Sequence, residues 1–185
     1  MAKKILIITD DAGESYEILY AYHRFQEAGY EPVIAATKKK LLHGVIHDFE
    51  PGWNTYVEKP GYWIKADTDF ARVKAKDYVG LLLIGGRAPE FLRHEKKLIQ
   101  IVQQFHKQDK FLFSICHGIQ VLIAAGVVEN RKVTCYCNVR YEVTTAGGRW
   151  INKPSVVDGR LVTAQTWESH PDFYRDVFRV MAHSD

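Results

Sequence analysis

"FLFSICHGIQVLIAAGVV", residues 111–128, begins with five residues free of charge, turns through Cys116-His117-Gly118 and continues as an apolar helical pattern. A continuous apolar run suits a strand buried on both faces of a parallel sheet, whereas a strand with one wet face would alternate. A strand that feeds directly into a helix is the repeating step of an α/β fold. The same step recurs on either side. "ILIITD" (5–10) and "PVIAAT" (32–37) bracket "ESYEILYAYHRFQEAGY", where Ile18, Leu19, Tyr22 and Phe25 fall at helical spacing and Gly29 stands at the expected C-terminal cap. "YVGLLLIGG" (78–86) reads as a buried strand ending in two glycines, and "FLRHEKKLIQIVQQFHKQ" as a helix with one charged face. Downstream come a weaker strand in "KVTCYC", a helical "VRYEVTTAGG", a hairpin about Asp158-Gly159 and a last helix from about Pro171. This order predicts an α/β fold, a doubly wound, mostly parallel sheet sandwiched by helices. Residues 41 to about 70 break the rhythm with two prolines, two tryptophans and β-favouring residues, and predict a small β-hairpin insertion.

The 185 residues, 46% of them hydrophobic, suffice for one core and predict one domain over 1–185. Lysine, arginine and acids are mixed along the chain with a net charge of +3, so no basic block points to nucleic acid. Three cysteines, an odd number, fit a reducing compartment better than a disulfide scaffold. No apolar run reaches the roughly 18 residues of a membrane helix, and a cytoplasmic, soluble protein is expected.

In an open parallel sheet the functional crevice lies beyond the carboxyl ends of the strands. Glu14 and Glu17 follow the first strand, Glu90 follows "LLLIGG", and Cys116-His117 follow "FLFSI". These distant residues are therefore expected to meet. Ser114-x-Cys116-x-Gly118 is the cysteine form of a nucleophile elbow, in which small flanking residues allow a sharp turn that presents the nucleophile. The helix start behind it favours thiolate, but one helix end supplies about 1 kcal/mol where a three-unit shift from about 8.5 needs roughly 4. A second partner, a protonated carboxyl or His117, is expected.

Other residues admit two readings. Glu14 and Glu17 serve as capping acids or as pocket acids, and Tyr136 as core or as pocket wall. His170 precedes Pro171 at a helix start that Ser169 and Asp172 could cap, or it joins the pocket. Cys135 and Cys137 alternate, one in and one out, as packing residues. His43, His47 and Asp48 match no zinc spacing, and neither metal nor cofactor is expected.

From "GGRAPE" to "ICHG", and at both ends through "ESYEILYAYHRFQEAGYEPVIA" and "VVDGRLVTAQTWESHPDF", the chain resembles the ThiJ/PfpI superfamily. "HDFE" and "SHPDF" look most like its plant-type members with glyoxalase III activity. The resemblance implies a flavodoxin-like, glutamine amidotransferase-like fold. It also implies that Cys116 is the nucleophile, His117 its neighbour, Glu17 the acid against the sulfur and Glu14 a second acid at the pocket mouth. Glu90 matches a glutamate that reaches the histidine of an adjacent subunit. Gly86 and His117 match the amides of an oxyanion site, and relatives often place an aromatic at Tyr136. Ala21 and Ile119 depart from prolines common in relatives. The implied function is glutathione-independent conversion of 2-oxoaldehydes to 2-hydroxy acids, or the related deglycase reaction, in a dimer, trimer or hexamer acting on a small carbonyl substrate. The alternatives are a cysteine peptidase and a redox-sensing stress protein.

Overall fold

A computed structural model of the chain describes residues 2–182. In chain order the elements are β1 (Lys4–Ile8), α1 (Ser15–Glu27), β2 (Glu31–Ala36), β3 (Leu41–Asp48), β4 (Val57–Lys65), β5 (Thr68–Asp69), β6 (Gly80–Leu83), α2 (Ala88–Leu92), α3 (Lys96–Lys107) and β7 (Phe111–Ile115). There follow α4 (Ile119–Ala124), β8 (Lys132–Val133), α5 (Arg140–Thr145), β9 (Arg149–Trp150), β10 (Ser155–Asp158), β11 (Leu161–Ala164) and α6 (His170–Ala182). Seven strands form the central sheet in the order β10-β11-β7-β6-β1-β2-β5, parallel except for β10. The strands read as continuous apolar runs are the ones at its centre: Ile5 to Ile8 and Leu81 to Leu83 are all but inaccessible. With helices on both faces there is no wet side to alternate toward.

In α1, Ile18, Ala21 and Phe25 turn one face to the core. Phe25 meets Phe113 of β7 and, from α6, Tyr174 and Phe178, with ring centres 5.8–6.5 Å apart. These contacts lock α1 to α6 across one face of the sheet. On the other face α3 buries Leu98, Ile101, Val102 and Phe105, a stripe at helical spacing. The helix expected from Phe91 to Gln108 is in fact two, α2 and α3, with Pro89 in the first turn of α2, where a missing amide hydrogen costs nothing.

The "KVTCYC" strand is shorter than expected. Only Lys132–Val133 pair, with β9 in a separate parallel ribbon, because the Thr134 amide donates to Thr163 Oγ1 (2.8 Å) rather than to a ladder. Cys135 is buried and Cys137 exposed, as the alternation implied. The β10–β11 hairpin turns at Asp158-Gly159, as expected. The insertion is a two-stranded antiparallel hairpin, β3–β4, ending at Lys65, after which Thr68–Asp69 rejoin the edge of the main sheet. Among the described residues no helix is long and apolar enough to cross a membrane.

Candidate active site

The chain leaves β7 through a three-residue 3-10 turn, Cys116–Gly118, before α4 begins. Cys116 sits at φ +57°, a left-handed conformation that costs a side-chain-bearing residue about 1–2 kcal/mol. The small neighbours make this turn feasible: a Cβ at Gly118 would lie 2.9 Å from Ser114 Oγ and overlap the Leu83 backbone. The elbow expected from Ser114-x-Cys116-x-Gly118 is therefore present. The sulfur is nevertheless not laid open, for Cys116 is only 4% exposed. His117 covers it, ringed by Tyr136 (5.1 Å between centres), Tyr56 (5.7 Å) and His47 (6.4 Å).

Glu14 and Glu17, one helical turn apart, divide the two roles open to them. Glu14 caps α1, its Oε2 accepting from the Glu17 amide at 2.6 Å, and the amides of Tyr16 and His47 also face its carboxyl. Glu17 points inward. Its Oε2 accepts from the Gly85 amide at 2.7 Å, and its Oε1 is buried without a partner. Gly85 admits no side chain, since a Cβ there would sit 2.8 Å from Glu17 Oε2 and 3.2 Å from Cys116 Sγ. Carboxyl and sulfur thus flank one narrow gap. Burial, then the charge of Glu14, raises the Glu17 carboxyl well above the usual carboxylate range. Burial raises Glu14 to about 7. The fold thus favours the protonated form of Glu17, and with Oε2 accepting from an amide the open position for that proton is Oε1.

Burial also pushes the Cys116 thiol up, against the amides of His117 and Gly86, which face the sulfur and favour its charged form. This corrects the expectation of a thiolate favoured by a helix start: α4 begins only after the 3-10 turn, and desolvation is the largest influence. The proton has a ready acceptor. His117 Nδ1 lies 3.3 Å from Sγ, and burial holds this imidazole neutral, pushed down to about 4. The same two amides, of Gly86 and His117, are the pair for which the resemblance implies an oxyanion role.

A second group was not legible as a site in the sequence. His47 on β3 pairs through Nε2 with Glu58 Oε2 on β4 at 2.9 Å, and Arg87 grips Glu58 through Nε (2.6 Å) and Nη2 (2.8 Å). The hairpin register sets His47 directly opposite Glu58, so the alternation of β3 and β4 was the available signal. Tyr56 stacks on His47 at 3.8 Å. Tyr136 is fixed by Asn138 Nδ2 (3.0 Å) and Thr55 Oγ1 (3.2 Å). Beyond it opens a cavity of about 370 Å³ walled by Phe49, Trp53, Gln165 and Glu168. A larger one, about 660 Å³, lies between Lys4, Tyr78 and Lys110 at the amino-terminal edge of the sheet, remote from Cys116.

Two expected residues stand apart. Glu90 is exposed on the first turn of α2, and its charge is felt by His47 and Tyr56. His170 is not in the ring cover over Cys116. It is buried in the α1–α6 seam, stacked on Tyr20 (4.3 Å) beside Tyr16 and Tyr174, with neither ring nitrogen hydrogen-bonded and burial pushing it down to about 4. Asp172, proposed to cap with Ser169, binds Arg175 instead. His43 stacks on Trp63 and Asp48 binds Lys59, so neither turns toward His47.

Residues 3–180 match the DJ-1/PfpI family. Protein DJ-1 homolog D of Arabidopsis thaliana is 36% identical over 97% of this chain, which spans 48% of that relative. Deglycase PfpI of Pyrococcus furiosus is 37% identical over 92% of the chain and 93% of its own length. Among solved structures, a ThiJ/PfpI domain protein from Brachyspira murdochii superposes with a TM-score of 0.84 over the whole chain and 99% of its own, at 20% identity. A family match over residues 3–180 and a relative 37% identical along nearly its whole length show that the chain belongs to the DJ-1/PfpI family.

Proposed function

We propose that Cys116 attacks the aldehyde carbon of 2-oxoaldehydes such as methylglyoxal, and that of the early adducts they form with amines and thiols once the amine or thiol has left with the adduct's hydroxyl hydrogen, returning a 2-hydroxy acid without glutathione. His117 Nδ1 takes the thiol proton as sulfur adds to the carbonyl, and the resulting oxyanion meets the amides of Gly86 and His117. The imidazolium returns that proton to the oxyanion, and His117, neutral again, takes the hydrogen of the former aldehyde carbon as Glu17 delivers the proton on its Oε1 to the ketone oxygen. An ene-diol forms; His117 restores the hydrogen one carbon along, and Glu17 recovers a proton from the hydroxyl on the sulfur-bearing carbon. The product is a 2-hydroxyacyl thioester on Cys116, which water releases. The observation that carries this reading is the juxtaposition of a nucleophile, a neutral acceptor at 3.3 Å and a protonated carboxyl in one buried gap. The deglycase names of relatives support the adduct reading. The 370 Å³ cavity beside Tyr136 offers room for an adduct's remainder that methylglyoxal alone would not fill.

A peptidase is less well supported. An amide is a weaker electrophile than an aldehyde, and relatives of this chain carry deglycase names. The test is glutathione-free consumption of methylglyoxal with chiral detection of lactate, native against Cys116→Ser. Lactate formed by the native protein and lost in the variant is the expected result; equal rates in the two would end the proposal.

We also infer a homo-oligomer, supported by Leu41, Tyr62 and Trp63, which stand 47–69% exposed on the β3–β4 hairpin.

A further inference from the structure

We propose that His47, held by Glu58, is the base that activates water to release the acyl group from Cys116. This rests on the nucleophilic role of Cys116 above. The release step needs an acceptor for a water hydrogen. His117 is neutral again at the thioester, but its Nδ1 is directed at the sulfur, 3.3 Å away, where it serves the thiol proton. Glu17, reprotonated once the thioester has formed, has no lone pair free to take another proton. His47 is the remaining imidazole facing the cover over Cys116, its ring meeting that of His117 at 75°.

The tautomer of His47 follows from its partner. Glu58, kept ionised by the two-pronged contact with Arg87, only accepts, so Nε2 carries the hydrogen and Nδ1 the lone pair. Nδ1 is buried and has no hydrogen-bond partner. A buried acceptor left unpaired is destabilising, and it points to an occupant with a hydrogen to offer. Rigidity argues the same way. Trp167 Nε1 donates to the His47 carbonyl at 2.8 Å, the His47 amide faces the Glu14 carboxyl, and Tyr56 stacks on the ring. Burial keeps the imidazole neutral, despite the pull of Glu58 and Glu90 toward the charged form.

In the step itself, water oxygen attacks the thioester carbonyl carbon as one water hydrogen passes to His47 Nδ1. The carbon–sulfur bond breaks with its electron pair on sulfur, and that proton returns to the sulfur. The products are the free carboxylic acid and the thiol, with water as the only co-reactant.

Acetylating Cys116 with p-nitrophenyl acetate isolates this step from 2-oxoaldehyde chemistry. Loss of the acetyl mass is followed by intact-protein mass spectrometry in native protein, His47→Gln and Glu58→Gln. His47→Gln is expected to slow deacetylation about 100-fold, in the range of general-base contributions, with little change in acetylation. Glu58→Gln, which keeps an acceptor but loses the charge, should fall between. Deacetylation of His47→Gln at the native rate, with a native circular dichroism spectrum, overturns the proposal, as does a Cys116 that cannot be acetylated. Should His47→Gln lose that spectrum, Glu58→Gln decides by the same comparison. Native protein that deacetylates yet makes no lactate removes the methylglyoxal reading and leaves His47 as the base. Lactate formation with unchanged deacetylation in His47→Gln removes the base alone.

Discussion

Glu17 states the site's chemistry in one residue, and its proton can be read through stability. A carboxyl raised in the fold keeps its proton where the unfolded chain, near 4.5, has lost it, so stability present below 4.5 declines as pH rises toward the folded value. His117 and His170, both pushed down to about 4, act oppositely: the unfolded chain binds protons near 6.5 that the fold refuses, and stability is lost as pH falls from 6.5 to 4. Between 4.5 and 6.5 the two acids and the two histidines oppose each other. Urea midpoints should therefore be nearly flat across that window and fall on either side. Glu17→Gln, which mimics the protonated carboxyl, should gain on native protein steadily above pH 4.5, by up to about 1.4 kcal/mol per pH unit. A parallel pair of profiles would refute the protonated carboxyl. Gly85→Ala should abolish turnover, measured as lactate formation, because its Cβ occupies the gap between Glu17 and Cys116. The turn at Cys116-His117 was legible because it follows directly on the last residue of a buried strand. Whether Glu14 or Glu17 is the cap was not, since both sit within one turn and only the fold decides which carboxyl faces in.

At the scale of elements, continuous apolar runs gave away β1, β6 and β7, because burial on both faces leaves no room for a polar residue. "KVTCYC" has the same look, and Thr163 captures the amide that would have extended its ladder. The pairing of His47 with Glu58 was hidden for a related reason: it depends on the register of β3 against β4, and a slip of one residue would turn the two to opposite faces. The α1–α6 seam rests on Phe25, fully buried among four aromatic rings. Phe25→Ala is expected to lower unfolding free energy by about 3–5 kcal/mol in a urea titration. A loss under about 1 kcal/mol would mean the seam closes over the gap.

For the whole molecule, the doubly wound order followed from strand and helix alternation alone, whereas the outward face of the insertion could not be foreseen from its composition. Leu41, Tyr62 and Trp63 stand out from β3–β4, and sedimentation at micromolar concentration should give a mass above the 21.3 kDa of one chain. Trp63→Glu should return the monomer; a native monomer would count against assembly through this hairpin. The Arg87–Glu58 contact ties that same hairpin to the turn carrying Gly86, through side chains 47% and 29% exposed. Charges so placed are screened over about 8 Å at physiological ionic strength, while the apolar sheet beneath is not. Added salt should thus slacken the cover over Cys116 before it touches the fold, giving the protein a working range in salt narrower than the range in which it stays folded.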